Sequence, residues 1–215
     1  MTASALPLVA VHVCLVLSFA FGTAEPCLPY FDGGISVSRA CRTEPVVHVF
    51  RALVLPSTAA LACMWWIAAA WMAREHIGGV RTRRWMLGLG VIGALFLVLY
   101  ATYLGTQGDV YRLMRRYGVY VFFTGTALAE LILTIALARA RPPALEPWVR
   151  RLMVGLCVLM LAVGPLNLVA EKLVERERAA CFFEWWFTLA MVGYPLLLAR
   201  VWQRGDVGVG LDGPR

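Results

Sequence analysis

Long apolar runs, separated by short polar clusters, dominate the chain. Six of them approach the roughly 20 residues that a helix needs to cross the core of a bilayer. None alternates apolar and polar residues as the strands of a membrane barrel do. The pattern predicts six spanning helices, over residues of about 5–24, 47–73, 85–106, 117–138, 152–170 and 179–202. Residues 25–46 form a predicted outer loop, and residues 1–215 a single all-α membrane domain: a polytopic six-helix bundle.

The composition supports this fold class. Of the 215 residues, 60% are hydrophobic and 15% are charged, whereas ordinary globular domains have about 45–50% and 25%. A small domain cannot bury such a surplus, so it must face lipid. A backbone in lipid satisfies its own hydrogen bonds, which favours helices. The first run also resembles a secretory signal peptide, but no Lys or Arg precedes it, which favours an uncleaved first helix.

Basic residues flank the predicted spans and suggest an orientation. With the N-terminus inside, the inner segments carry eleven basic residues and the outer segments nine, which favours two cytoplasmic termini. The net charge of +7 comes from these flanking arginines, so we predict no nucleic-acid partner. The expected partners are membrane lipids, with a protein partner in the membrane as a second class. The expected location is the plasma or inner membrane in a bacterium and an endomembrane in a eukaryote.

Two of the six cysteines lie in the predicted outer loop. Disulfides persist on the oxidising faces of membranes, so Cys27 is predicted to pair with Cys41, with Cys181 as the rival partner. No spacing of cysteine and histidine suits zinc. We therefore predict no metal and no cofactor.

A group of polar residues shares the outer level of the predicted bundle. Charge at membrane depth costs about 2.5–3.5 kcal/mol on insertion scales, so such residues are functional candidates. His48 and Arg51 begin the second span, Asn167 lies near the outer end of the fifth, and Glu184 and Trp185 begin the sixth. We predict a pair between Arg51 and Glu184, with His48 and Asn167 beside it. Two interpretations stay open, a headgroup site and an ion pair that only locks helices together.

Two further ionisable residues lie deeper in the membrane. His12 in the first span and Glu130 in the fourth are at similar predicted depth. One hypothesis pairs them or lets them share a proton. The alternative is a protonated Glu130 bonded to Thr126 or Thr134, four residues away on its own helix.

Small residues recur along the third and fourth spans. They are typical of close helix packing in membranes. The residues concerned are Gly88, Gly90, Gly93, Gly125 and Ala129.

Several stretches carry a resemblance to a known family. They are Pro26-Cys27-Leu28-Pro29-Tyr30, Ile35-Ser36-Val37-Ser38, Glu44-Pro45-Val46-Val47-His48-Val49-Phe50-Arg51, Tyr120-Val121-Phe122-Phe123-Thr124-Gly125 and Phe182-Phe183-Glu184-Trp185. Their order and spacing resemble the DRAM/Frag/Sfk family, which groups the damage-regulated autophagy modulators with the GPI-anchor remodelling factor and Cwh N-terminal-like proteins. The resemblance implies a six-helix membrane protein tied to lipid organisation, lipid remodelling or autophagy-like regulation.

The resemblance also singles out particular residues. It points to Arg51 and Glu184, the same outer pair. Members often carry a histidine before the fourth span, where this chain has Arg115 and Arg116, and another near the position of Tyr194. Any chemistry that those histidines perform is therefore not expected here.

The leading functional hypothesis is a non-catalytic, lipid-associated membrane protein that takes part in lipid organisation or binds a headgroup or a partner at its outer face. No glycine-flanked nucleophile, phosphate loop or metalloprotease motif is present in the sequence, so no catalytic residue is assigned. One alternative is a lipid-remodelling enzyme, with His48 as general base and Arg51 holding a phosphate. The other is a small transporter that uses Glu130.

Overall fold

The structure of the chain is a computed structural model that describes residues 2–170 and 172–205. Within those residues it contains helices and no strand. The helices are α1 (Thr2–Ala20), α2 (Pro29–Asp32), α3 (Val37–Ala40), α4 (Val46–Arg74), α5 (Val80–Tyr103), α6 (Asp109–Ala140), α7 (Pro147–Ala170) and α8 (Arg176–Arg204).

Six of these helices are long and apolar enough to cross a membrane, namely α1, α4, α5, α6, α7 and α8. The predicted all-α class is confirmed, and so is the presence of six helices that are long and apolar enough to cross a membrane. These six helices support a multi-pass membrane protein. Several helices extend beyond their predicted limits: α6 begins at Asp109, whereas the apolar run predicts a start at about residue 117. The apolar run marks the part that suits lipid, whereas backbone hydrogen bonding continues into the polar flanking turns.

The spanning helices form a closed ring in chain order. Each packs against the next, and α8 returns to contact α1. Short connections make consecutive helices antiparallel. Large side chains are fully buried within the bundle, including Trp65, Trp185, Tyr194 and Leu133.

Glycine allows the helices to approach closely around α5. A Cβ atom at Gly90 would lie 2.4 Å from the indole of Trp65, and one at Gly125 would lie 2.9 Å from the carbonyl oxygen of Leu89. Close packing is confirmed for four of the five predicted small residues: Gly90, Gly93, Gly125 and Ala129. It is wrong for Gly88, because a Cβ atom there would meet nothing within 4 Å.

Candidate functional site

The ring of helices has two unlike ends. The first-loop end carries residues 21–45, 104–108 and 172–175, and the opposite end carries residues 75–79 and 141–146. All five residues of the predicted outer cluster belong to the helical segments nearest the first-loop end. The structure nevertheless separates them into different environments.

Glu184 and Trp185 hold the first loop onto the start of α8. The backbone N–H of Ser38 donates to Glu184 Oε1 at 3.3 Å, and Trp185 Nε1 donates to the carbonyl oxygen of Ile35 at 2.8 Å. The Trp185 side chain is fully buried. These two predicted site residues therefore serve the folding of the loop.

Arg51 forms hydrogen bonds with carbonyl groups at the C-terminal end of α5. Its Nε donates to the carbonyl oxygen of Ala101 at 3.2 Å, and its NH2 group donates to that of Leu104 at 2.7 Å. A cation suits these positions because carbonyl groups at the C-terminus of a helix lack partners and carry partial negative charge. The guanidinium thus fixes the point at which the 104–108 turn begins.

The predicted pair between Arg51 and Glu184 is wrong. Their helices, α4 and α8, are not neighbours in the ring, and no backbone contact between them occurs in the described part of the chain. A shared depth in the membrane does not bring two residues together when another helix lies between them.

The remaining two residues of the predicted cluster also lie apart. His48 Nε2 lies 2.7 Å from Glu44 Oε2 in a pair whose side chains are 65% and 70% exposed. Asn167 lines a cavity of about 300 Å³ together with Glu184, between apolar rings that include Phe123 and Phe187. Of the predicted cluster, Asn167 and Glu184 thus share a cavity.

A different polar cavity lies at the first-loop end, and we call it the arginine basin. It has a volume of about 590 Å³ and is lined by three arginines, Arg42, Arg112 and Arg115, together with Thr43, Glu44 and residues 105–108. It forms where the first loop meets the turn between α5 and α6. Gly105 makes this meeting possible, because its φ is +85° and a Cβ atom there would lie 2.6 Å from the carbonyl oxygen of Arg42.

The arginines of the basin are only partly neutralised. Arg112 NH2 lies 2.9 Å from Asp109 Oδ1, and Arg115 NH1 donates to the carbonyl oxygen of Thr106 at 3.3 Å. Arg42 has no ion pair within the residues that the structure describes. The basin therefore offers guanidinium groups to an anion, against the single carboxylate of Glu44 on its wall.

Sequence reasoning did not find the basin. Arg42 belongs to the first loop and the other two arginines to the first turns of α6, so no local motif unites them. The one available signal was the spacing of Arg112, Arg115 and Arg116, which places Arg112 on the same helical face as each of the other two. Their position beside an apolar run is otherwise typical of arginines that flank a span.

The predicted pairing of His12 with Glu130 is also wrong. His12 Nε2 lies 3.0 Å from the hydroxyl of Tyr30, and its Nδ1 lies 2.7 Å from the carbonyl oxygen of Leu8. Helices α1 and α6 lie in different parts of the ring and have no backbone contact in the described residues. His12 thus serves to hold the first loop against α1.

Glu130 lies in the centre of the bundle, where its side chain has no exposed surface. Neither carboxyl oxygen has a hydrogen-bond partner among the described residues, so the alternative bond to Thr126 or Thr134 is not formed. Thr134 Oγ1 instead lies 2.7 Å from the hydroxyl of Tyr194, which donates to the backbone carbonyl of Glu130 at 3.1 Å.

The predicted disulfide between Cys27 and Cys41 is not formed, since all six cysteines are free. Cys41 directly follows α3 and is fully buried. Contact with the Cys14 thiol together with burial raises the pKa of the Cys41 thiol. Cys27 lies against Gly34 instead. The rival partner, Cys181, is unpaired as well.

No three His, Cys, Asp or Glu side chains come together as a metal-binding group in residues 2–170 and 172–205. No protein-family model, curated protein or solved structure matches the chain.

Proposed function

We propose that this protein is a multi-pass membrane protein that binds a phosphate-bearing lipid headgroup in the arginine basin at its first-loop end. The observation that carries the proposal is the convergence of three arginines on one polar cavity of about 590 Å³. That volume falls within the roughly 300–1,000 Å³ that is usual for sites that bind small molecules.

The chemistry of the basin favours phosphate. A guanidinium group presents a planar fork of donors that matches two phosphate oxygens at once. Arg42 approaches from the first loop, and Arg112 and Arg115 approach from the first turns of α6. An anion between them would therefore be held from two sides.

Arg51 acts in this proposal as a positioning residue. Its hydrogen bonds to Ala101 and Leu104 fix the end of α5, from which residues 105–108 enter the wall of the basin. The family resemblance also points to Arg51, and in this proposal Arg51 supports the site indirectly, without contact to the phosphate.

The orientation and the family belong to the same proposal. We place both termini in the cytoplasm, which puts the basin on the outer face. Ten arginines and two glutamates in residues 74–84, 139–151 and 200–204 support this orientation. Membership of the DRAM/Frag/Sfk family rests on the sequence resemblance, and a lipid-associated role agrees with it.

The test measures lipids retained by the purified protein in native mass spectrometry. The probe is an equimolar mixture of phosphatidylcholine and phosphatidylglycerol. The variant Arg42→Ala/Arg115→Ala should bind phosphatidylglycerol at the basin about 30-fold more weakly, because each arginine contributes about 1 kcal/mol near a charged lipid. sn-Glycerol 3-phosphate should compete for this site, because the basin is polar and needs only the headgroup.

A matched control is available one residue away. Arg116 is exposed and does not line the basin, so Arg116→Ala removes the same charge from α6 and should leave binding within about twofold of wild type. The variant that it matches is the single change Arg115→Ala, which should weaken binding about fivefold. Equal losses in Arg116→Ala and Arg115→Ala would reduce the effect to general surface charge and refute the site.

The structure gives the alternatives less support. The enzyme hypothesis needs Arg51 to hold a phosphate, but its guanidinium already donates to two carbonyl groups. The transporter hypothesis needs access to Glu130, whose side chain is fully buried.

A further inference from the structure

A groove runs between α5 and α6 at the opposite end of the bundle. It has a volume of about 630 Å³ and lies between the start of α5 and the end of α6. Its mouth is formed by Gly78, Gly79 and Arg81 on one side and Arg139 on the other. A Cβ atom at Gly79 would meet nothing within 4 Å, so the mouth is open.

The positive charges of the two arginines at the mouth are not neutralised by described acidic side chains. Neither Arg81 nor Arg139 forms an ion pair with any described residue. The glutamates at this end are engaged elsewhere, since Glu75 lies 3.1 Å from Arg74 and Glu146 lies 2.6 Å from Arg204. The groove therefore opens into a surface of strong positive charge.

The wall of the groove is apolar. Ile132 and Ile135 on α6 line it, and Trp85 on α5 lies beside them with 59% of its surface exposed. From Arg139 to Ile132 the helix rises by about 10 Å, at 1.5 Å per residue. The groove thus extends from a charged mouth well into the apolar layer, and tryptophan is typical of the boundary between the two.

We propose that the α5–α6 groove binds one anionic diacyl phospholipid, with its phosphate between Arg81 and Arg139 and an acyl chain along Ile132 and Ile135. A basic pocket between spanning helices is a known form of anionic-lipid site. The apolar wall selects a lipid over a soluble phosphate, because a soluble anion would leave it uncovered. This site shares no residue with the arginine basin and stands independently of it.

The test uses native mass spectrometry of the full chain with an equimolar mixture of phosphatidylglycerol and phosphatidylcholine. Wild type should retain one phosphatidylglycerol at the groove, and Arg81→Ala/Arg139→Ala should bind it about 30-fold more weakly, at about fivefold for each arginine. The control is Arg150→Ala/Arg151→Ala, which removes the same charge from the same end outside the groove. It should stay within about twofold of wild type.

A second variant tests the shape of the groove without changing charge. Gly79→Leu places a side chain in the open mouth, at a position whose φ of −79° suits any L residue. It should weaken retention of phosphatidylglycerol at least fivefold, with only a small loss of thermal stability because leucine is a less favourable N-cap residue than glycine. This variant keeps the proposal testable if the double arginine variant does not fold.

Three results would overturn the proposal. The first is equal loss of lipid in the groove variant and in the Arg150/Arg151 control. The second is retention of phosphatidylcholine as strong as that of phosphatidylglycerol. The third is displacement of the groove lipid by sn-glycerol 3-phosphate, which would make the apolar wall irrelevant. The basin variant Arg42→Ala/Arg115→Ala should leave the groove lipid in place, so failure of one site is distinguishable from failure of the other.

Discussion

Helix α6 presents two unlike faces to its neighbours. Toward α5 it offers Gly118 and Gly125, where an added Cβ atom would lie 2.8 Å from the backbone nitrogen of Tyr100 and 2.9 Å from the carbonyl oxygen of Leu89. Toward α7 and α8 it offers Glu130 and Thr134. One face is a contact between backbones, whereas the other is a contact between polar side chains.

The difference shows how two kinds of membrane helix contact respond to change. Lipid tails are as apolar as the helices, so helices gain from close van der Waals packing rather than from hydrophobic burial. A backbone contact of this kind has no room for one additional atom. The polar face holds an acid whose oxygens lack partners in the described residues. Replacement of that acid by an apolar residue can therefore stabilise the fold. Substitution at the close backbone contact should therefore lower the free energy of unfolding, whereas replacement of the unpartnered acid on the polar face should raise it.

The largest effect is expected on the α5 face. Gly125→Ala forces its Cβ atom against the Leu89 carbonyl, and because a backbone atom cannot swing aside, the helices must separate. Overpacking typically costs 1–3 kcal/mol, and we expect about 3 kcal/mol for this contact with a rigid backbone. Chemical unfolding in detergent micelles, followed by circular dichroism, measures the loss.

Controls with the same substitution lie at open glycines. Gly88 on α5 and Gly164 on α7 meet nothing within 4 Å. Gly88→Ala and Gly164→Ala should therefore leave the free energy of unfolding unchanged or raise it by up to about 1 kcal/mol, since alanine favours helix. A loss in Gly88→Ala as large as that in Gly125→Ala would remove the distinction between close and open glycines.

The next effect has the opposite sign and belongs to the polar face. Glu130→Met fills a similar volume and removes two buried oxygens that have no partner among the described residues. Replacement of buried polar groups by apolar ones of similar shape is often neutral or stabilising. We expect a gain of about 2 kcal/mol in the free energy of unfolding, near the usual cost of one unsatisfied buried group. Destabilisation would contradict the view that the unpartnered carboxyl group costs free energy in the folded protein.

The sequence predicts the spans but not which helices are neighbours. Apolar runs mark the lipid-crossing segments because side chains that face lipid are apolar wherever their helix lies in the bundle. Depth in the membrane can be estimated from position along a helix, and Arg51 and Glu184 do lie toward the same end of the bundle. Six helices can be ordered in many ways around a ring, however, and depth does not choose among them. Both predicted cross-helix pairs failed for this reason.

The basin lies beyond sequence reasoning for a related reason. It depends on the turn at residues 104–108, where Gly105 adopts a φ of +85° and lets the first loop approach. That turn allows Arg42, from the loop between α1 and α4, to line the same cavity as Arg115 on α6. Glycine at this position suggests a turn, but which loop the turn meets is a property of the folded bundle.

A smaller effect on the polar face sharpens the contrast. Thr134→Val keeps the size of the side chain and removes a hydroxyl that lies 2.7 Å from that of Tyr194 and 3.3 Å from Cys157 Sγ. Hydrogen bonds between membrane helices contribute about 0.6 kcal/mol on average and up to about 1.7, so we expect a loss of about 1 kcal/mol. A double-mutant cycle with Tyr194→Phe should show that most of this loss is shared, because both changes remove the same bond.

The smallest effect is expected from the same substitution on the other face. Thr126 packs against Gly93, where a Cβ atom would lie 2.8 Å from Thr126 Oγ1, and this hydroxyl has no partner among the described residues. Thr126→Val therefore removes no hydrogen bond and should change the free energy of unfolding by at most about 0.5 kcal/mol, the usual range where no specific interaction is lost. When Thr126→Val and Thr134→Val are measured under identical conditions, the comparison distinguishes the effect of losing a hydrogen bond from the effect of the substitution itself, because both replace threonine by valine on the same helix. If Thr126→Val costs as much as Thr134→Val, the α5 face depends on its hydroxyl as well as on its close packing, and the division of α6 into a packing face and a polar face is wrong.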